Sequence, residues 1–353
     1  MENSTEKMQR KLFIKPYDRM VKDLVNDING GMIILDPDYQ RNYVWNNIRA
    51  SRLVESILLN IPIPVIYAAE DTDNRWVIVD GLQRLFSLCR FYKNEFKLVG
   101  LETLTELNGS KYATLEDNIQ KKLDRGELRI IVLQNDSDPN IQFDIFTRLN
   151  TGAVKLNEQE LRNCMFHGKL NDMVKDIAKN NHYLRKIFSY NTDRMITNEL
   201  VLRYLAVSEN FDRDTNEIRN YDGRIKNLIN SYMKKYQNAD DDILEDIKIK
   251  FEQQIKKAYL VFGDKAFKKN DKTTKPNAAL YECIMMSFED YSEDDLLTSK
   301  LKIRQLLAEL LQTDEFVKAI DKATGNTEVL NLRNRIFRLR LGEIMNDAGQ
   351  KGF

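Results

Sequence analysis

Apolar residues change their spacing several times along this chain, and each change predicts an element. The stretch Arg75 to Tyr92, RWVIVDGLQRLFSLCRFY, shows it most clearly. Trp76 to Val79 is an unbroken apolar run, which predicts a buried strand. Asp80-Gly81 breaks the run, and Leu85, Leu88, Cys89, Tyr92 and Phe96 then recur at helical spacing. A strand, a tight turn and an amphipathic helix follow from this pattern.

The same signals place the other elements. Met20, Val21, Leu24 and Val25 predict a helix over 16–29, stopped by Asn29-Gly30-Gly31, with a short strand at Met32 to Leu35. Leu53, Val54, Ile57 and Leu58 predict a helix from Ile48 to Asn60. Pro62 and Pro64 then confine the start of the next strand to an edge or an irregular segment. Asp71-Thr72-Asp73-Asn74 predicts a turn, 94–127 a mixed, inserted helical stretch with a cap-like Thr114-x-x-Asp117, and Leu128 to Leu133 another strand. A helix begins at Asp138-Pro139, and Asn157-x-x-Glu160 has the form of a capping box for the next. From about residue 168 the pattern is wholly helical. Helices are predicted over 170–188, 198–207, 222–236, 242–262, 277–288, 294–311 and 327–341, with no strong strand run and with Pro276 as the first residue of a helix. The change of period puts a domain boundary near 165, giving domains 1–165 and 166–353.

Composition narrows the function classes. Lys+Arg and Asp+Glu are each 54, so no global field draws the chain to nucleic acid, and any such contact must be a local patch. The three cysteines, Cys89, Cys164 and Cys283, lie far apart without a C-x-x-C, which argues against disulfides and zinc and fits a reducing cytoplasm. With two histidines, His167 and His182, a His-rich metal centre is not expected. The polar start MENSTEKMQRK lacks a signal-peptide core, and no apolar run reaches membrane-spanning length.

Candidate chemistry concentrates in the first half. A strand-to-helix turn offers backbone N–H groups and a helix dipole to an anion, Gly81 permits close approach, and Arg84 adds a planar cation. The plain alternative is a turn capped by Asp80 with Arg84 merely exposed. The loop Asp36 to Trp45, DPDYQRNYVW, can stack on a flat ring, or its Tyr43 and Trp45 can fold onto the core. Asn150-Thr151-Gly152 can present N–H groups, and Arg148, Arg162 and Asn163 are candidates for the same pocket. We expect these side chains, Tyr39 to Arg162, to meet at one electropositive cleft beneath Gly81. In the second half, Lys265, Lys268, Lys269, Lys272 and Lys275 crowd one loop, and Arg333, Arg335, Arg338 and Arg340 crowd the last helix. Either group can meet a phosphate backbone or simply be a solvated face.

Four motifs occur in one order: PDYQRNYVW, LVESILLNIPIP, IVDGLQRLFSL and IFTRLNTGAVKLNEQELRNC. Together they resemble the amino-terminal domain of GmrSD-type modification-dependent restriction endonucleases, within the ParB/sulfiredoxin-like superfamily, over roughly residues 15–170. The resemblance implies an α+β fold, a small mixed sheet with helices followed by an all-helical domain. It implies nucleotide binding and hydrolysis at a signature Asp-Gly-Gln-Gln-Arg, which stands here as Asp80-Gly81-Leu82-Gln83-Arg84. Leu82 departs from that signature, and Ala153 replaces a second glycine after Gly152. Proteins with this domain often carry a carboxy-terminal His-Asn-His nuclease domain, whose histidines this chain lacks.

These residues support a cytoplasmic regulator or sensor in a DNA-directed phage-defence system, with a separate nuclease subunit as partner and further copies of the chain as an open alternative. A nucleoside triphosphate (CTP, GTP or ATP undetermined) would be held by Gly81, Arg84, Arg148, Asn150, Thr151, Gly152, Arg162 and Asn163. Mg²⁺ would sit at Asp80, and Tyr39, Gln40 and Arg41 would contact the base or nucleic acid. Asp80, Gln83 and Arg84 are the candidate catalytic groups, and Arg333, Arg335, Arg338, Lys268, Lys269 and Lys272 the candidate DNA contacts. The rivals are a metal-dependent nuclease using Asp36, Asp38 and Asp80, and a non-enzymatic adaptor with a degenerate pocket, which Leu82 favours.

Overall fold

In the computed structural model, which describes residues 11–35, 43–149, 156–188, 195–270 and 276–349, the run at Trp76 becomes an inner strand of a mixed sheet. The chain divides into two compact units, Met1–His167 and Gly168–Phe353. The first holds β1 (Ile14–Met20), α1 (Val21–Asn29), β2 (Ile33–Ile34), α2 (Asn47–Leu58), β3 (Ile66–Glu70), β4 (Trp76–Asp80), α3 (Leu82–Tyr92), α4 (Asp117–Asp124), β5 (Glu127–Leu133), α5 (Pro139–Leu149) and α6 (Glu158–Met165). The sheet order is β1-β5-β3-β4-β2. β1 runs antiparallel to β5, β5 parallel to β3, β3 antiparallel to β4, and β4 parallel to β2. This is the α+β arrangement expected from the sequence.

One sheet face carries the core. Ile66, Ala68, Ile78, Ile130 and Val132 meet Leu24 of α1, Val54 and Ile57 of α2, and Leu85, Leu88 and Phe91 of α3. The other face at β3 and β4 is covered by α6. That accounts for the unbroken run Val77-Ile78-Val79: a strand covered on both faces needs apolar residues at every position.

The helix expected over 16–29 begins late. Residues 14–20 are an edge strand, in register Ile14↔Leu133 to Met20↔Glu127, and Met20 is exposed. Pro16 is tolerated there because an edge strand needs only one row of backbone groups. Thr114 does not cap α4; its hydroxyl accepts from the Lys111 N–H at 2.9 Å and closes a short turn.

The second unit contains α7 (Lys169–Asn180), α8 (His182–Ile187), α9 (Ile196–Asn210), β6 (Phe211–Asp212), β7 (Glu217–Ile218), α10 (Ile225–Tyr236), α11 (Asp241–Phe262), α12 (Ala278–Ser287), α13 (Glu293–Thr298), α14 (Lys300–Leu310), α15 (Asp314–Asp321) and α16 (Thr327–Gly349). The small hairpin β6–β7 and helix α15 were not anticipated. Pro276 precedes α12, whose cap is Asn277, accepting from the Leu280 N–H. From Ala279 to Ser287 every residue of α12 is buried, as suits a helix with no polar face.

Candidate functional site

The β4–α3 turn is built around Gly81. Its φ of 95° is left-handed, and a Cβ there would lie 2.7 Å from Ile66 Cγ1. Glycine is therefore required both for conformation and for space. Gly81 is the N-cap of α3 and gives no side-chain cap, so the first-turn N–H groups of α3 keep the orientation that suits an anion.

Asp80 does not cap the helix. Its Oδ2 pairs with Arg84 at 2.8 Å. Arg84 is not free either: its guanidinium also donates to the carbonyl of Pro64 and, at 3.2 Å, to that of Val65. With 11% of its side chain exposed, Arg84 forms a clasp between the turn and the residues leading into β3. Burial lowers its pKa, and the Asp80 carboxylate counters part of that effect.

Gln83 faces the other way. Its Oε1 accepts from the backbone N–H of Val44 at 3.1 Å and, more weakly, of Trp45 at 3.4 Å. The Tyr43 hydroxyl shares a hydrogen bond with Ser87 at 2.8 Å, and its ring lies 5.0 Å from Phe86 and beneath Arg90. Trp45 packs against the core. Tyr43 and Trp45 thus follow the plainer of their two readings. Tyr39, Gln40 and Arg41 lie outside the described residues, as do Asp36 and Asp38. Leu82 packs against the core, so the amide missing from the signature is replaced by an apolar contact.

The second dense stretch is divided. Arg148 is exposed at the end of α5, and Asn150, Thr151 and Gly152 lie outside the described residues. The capping box is formed: Asn157 Oδ1 accepts from Glu160 N at 2.8 Å, and Glu160 Oε2 from Asn157 N at 2.6 Å. Arg162 is 1% exposed, with its guanidinium 5.0 Å over the Phe143 ring and bonded to Glu158 and Gln159. Asn163, also buried, accepts from Gln159 at 3.0 Å. Arg84, Arg148 and Arg162 therefore occupy a clasp, a solvent-facing helix end and a buried stack. An open cleft of about 670 Å³ on this unit is lined instead by Ile61, Pro62, Lys122 and Arg125, and none of the Asp80–Arg84 residues borders it.

Among the expected DNA contacts, Arg333 is fully buried and pairs with Glu282 at 2.6 Å. Burial pushes its pKa down to about 10. Arg338 pairs with Asp290 at 2.6 Å and lies over Phe211. Arg335 is exposed, Lys268 half-buried, and Lys269 pairs with Asp321 at 2.8 Å. Lys272 lies outside the described residues. The pattern of charge could not separate these, because only packing distinguishes an inward arginine from an outward one on the same helix.

Sequence reading missed the Pro64 and Val65 carbonyls and the Tyr43–Ser87 bond. The first left one weak trace, the prolines that mark an irregular strand entry. Among the described residues no group of three or more His, Cys, Asp or Glu could hold a metal. A single carboxylate such as Asp80 does fit the way Mg²⁺ is usually bound, through phosphates, waters and one or two carboxylates. No described helix is long and apolar enough to cross a membrane. Residues 21–167 match the family model described as GmrSD restriction endonuclease, N-terminal domain. Neither the search of curated proteins nor that of solved structures returned a match.

Proposed function

With residues 21–167 forming a GmrSD restriction endonuclease N-terminal domain as premise, we propose that this chain is the nucleoside-triphosphate-binding regulator of a DNA-directed restriction system in phage defence, cutting being left to a separate subunit. The observation that carries the nucleotide reading is the uncapped α3 N-terminus behind a left-handed Gly81. Helix N-termini of this kind suit phosphate oxygens through their backbone donors and dipole. Mg²⁺ accompanying the triphosphate would draw on Asp80, supplying charge neutralisation between phosphate oxygens. Arg84, already fixed beneath the turn, contributes a stationary positive charge.

One observation favours a second reading. Gln83 and Arg84 each have structural partners, which suits a non-enzymatic adaptor that keeps the motif for shape alone. A thermal-shift panel of ATP, GTP, CTP and UTP with Mg²⁺ separates the two. A nucleotide that binds the native state raises the melting temperature by mass action, by about 2.7 kcal/mol of stabilisation at a hundred times Kd. Asp80→Ala should abolish the Mg²⁺-dependent part of the shift. No shift with any of the four at millimolar concentration supports the adaptor, and plasmid cleavage by the chain alone with Mg²⁺ supports a nuclease.

A further inference from the structure

Two consecutive residues of the motif hold the two ends of one excursion of the chain. From Val44 to Val65 the backbone forms α2 and then reaches the start of β3. At the outgoing end, Gln83 Oε1 accepts from Val44 N and Trp45 N. The next residue, Asn46, caps α2, its Oδ1 accepting from Arg49 N at 2.9 Å. At the returning end, the Arg84 guanidinium donates to the carbonyls of Pro64 and Val65 while anchored to Asp80. Gly81 lies against Ile66, the first residue of β3.

No strand or helix ladder pairs these backbone groups. Val44 is exposed and lies outside any strand or helix, and Pro64 and Val65 precede β3, so no ladder pairs them. Polar groups in such connecting segments are ordered by side chains or left to water. Here the ordering side chains come from one helical turn. We propose that Gln83 and Arg84 are positioning residues, a two-point clip that sets the place of α2. A ligand engaging the Asp80–Arg84 turn would then be felt at both ends of the excursion. This second half rests on the nucleotide reading above, whereas the clip itself does not.

Amide hydrogen exchange on the full chain tests it. Without nucleotide, Gln83→Ala should speed exchange at Val44 and Trp45 about fivefold, the effect of losing one ordinary hydrogen bond. Gln83→Glu, which keeps acceptor oxygens at the same reach, should restore protection. Arg84→Lys keeps the charge but loses the planar fork, and should loosen Val65 and Ile66. It should also raise exchange at Val44 and Trp45 to a lesser degree, if α2 transmits between the ends. Unchanged exchange at Val44 and Trp45 in Gln83→Ala, with the melting temperature intact, overturns the clip. Equal loosening by Gln83→Glu and Gln83→Ala overturns it as well. In the nucleotide arm, a nucleotide that raises the melting temperature of the wild type yet leaves exchange at 44–66 unaltered overturns the ligand-sensing half. If none of the four nucleotides shifts the melting temperature, the nucleotide reading and the ligand-sensing half fall together, and the ligand-free variants still decide the clip.

Discussion

Gly81 shows how a single residue can be demanded twice. A side chain at φ 95° costs about 1–2 kcal/mol against the left-handed penalty of L-residues. A methyl group 2.7 Å from Ile66 adds an overpacking cost of about 1–3 kcal/mol. Gly81→Ala is therefore expected to destabilise the first unit by about 2–5 kcal/mol in urea unfolding. A loss below about 1 kcal/mol would mean that the turn adapts and that Gly81 is kept for ligand approach alone. The turn at Gly81 was visible in the sequence because Asp80-Gly81 interrupts an apolar run just before a helical period begins. Arg84 was visible as a cation but not as a clasp. Its acceptors are carbonyls some twenty positions away, and a backbone carbonyl leaves no mark in the amino-acid code. The setting of Arg162 was hidden for a related reason: nothing in RLNTGAVKLNEQELRNC says that its guanidinium will lie over Phe143.

Elements were legible where an apolar period was strong, as in β4, α2, α3 and β5, and where a cap had a fixed spacing, as at Asn157 and Glu160. They were illegible where pairing decided the outcome. β1 became a strand because β5 lies beside it, and α15 is a short helix between turns. The inserted stretch is held by a contact that spacing alone cannot show. Asp124, at the end of α4, accepts from Tyr92 at the end of α3, from Tyr112, both at 2.8 Å, and from Lys22 of α1 at 2.9 Å. Burial by itself would raise the Asp124 pKa, but these three donors outweigh it and hold the carboxyl below its ordinary value. Burial, helped by the same carboxylate, pushes the Tyr112 phenol up to about 12. A depressed carboxyl contributes stability that is fully present above its unfolded pKa, near 3.8, and is lost as pH falls through the lower folded value. Urea midpoints should therefore drop as pH is lowered from 5 toward 2.5, and Asp124→Asn should remove part of that drop while lowering stability at neutral pH. An acid limb of identical slope in Asp124→Asn would show that other carboxyls control it.

At the scale of the whole molecule, balance of charge is the governing fact. Lys+Arg and Asp+Glu are each 54, so attraction to DNA has to be local and short-ranged. Packing then removes much of the arginine cluster from consideration. Arg333 neutralises a buried Glu282, and Arg338 pairs with Asp290, so α16 presents Arg335 and Arg340 outward, the latter near Glu309 and Glu343. If three of the candidate cations of this unit meet DNA, they neutralise about three phosphates. Each neutralised phosphate contributes close to −0.9 to the dependence of log K on log salt, so the slope should be about −3. Arg335→Glu should lower affinity and make the slope shallower by about one, equally for unrelated sequences, because phosphate contacts carry no sequence information. Measurement by fluorescence anisotropy between 50 and 200 mM salt decides it. A slope steeper than about −6 would require more cations than these candidates supply, and would place any DNA contact elsewhere on the chain. A near-zero slope with undiminished affinity would leave base contacts, rather than charge, as the source of any DNA binding by this chain.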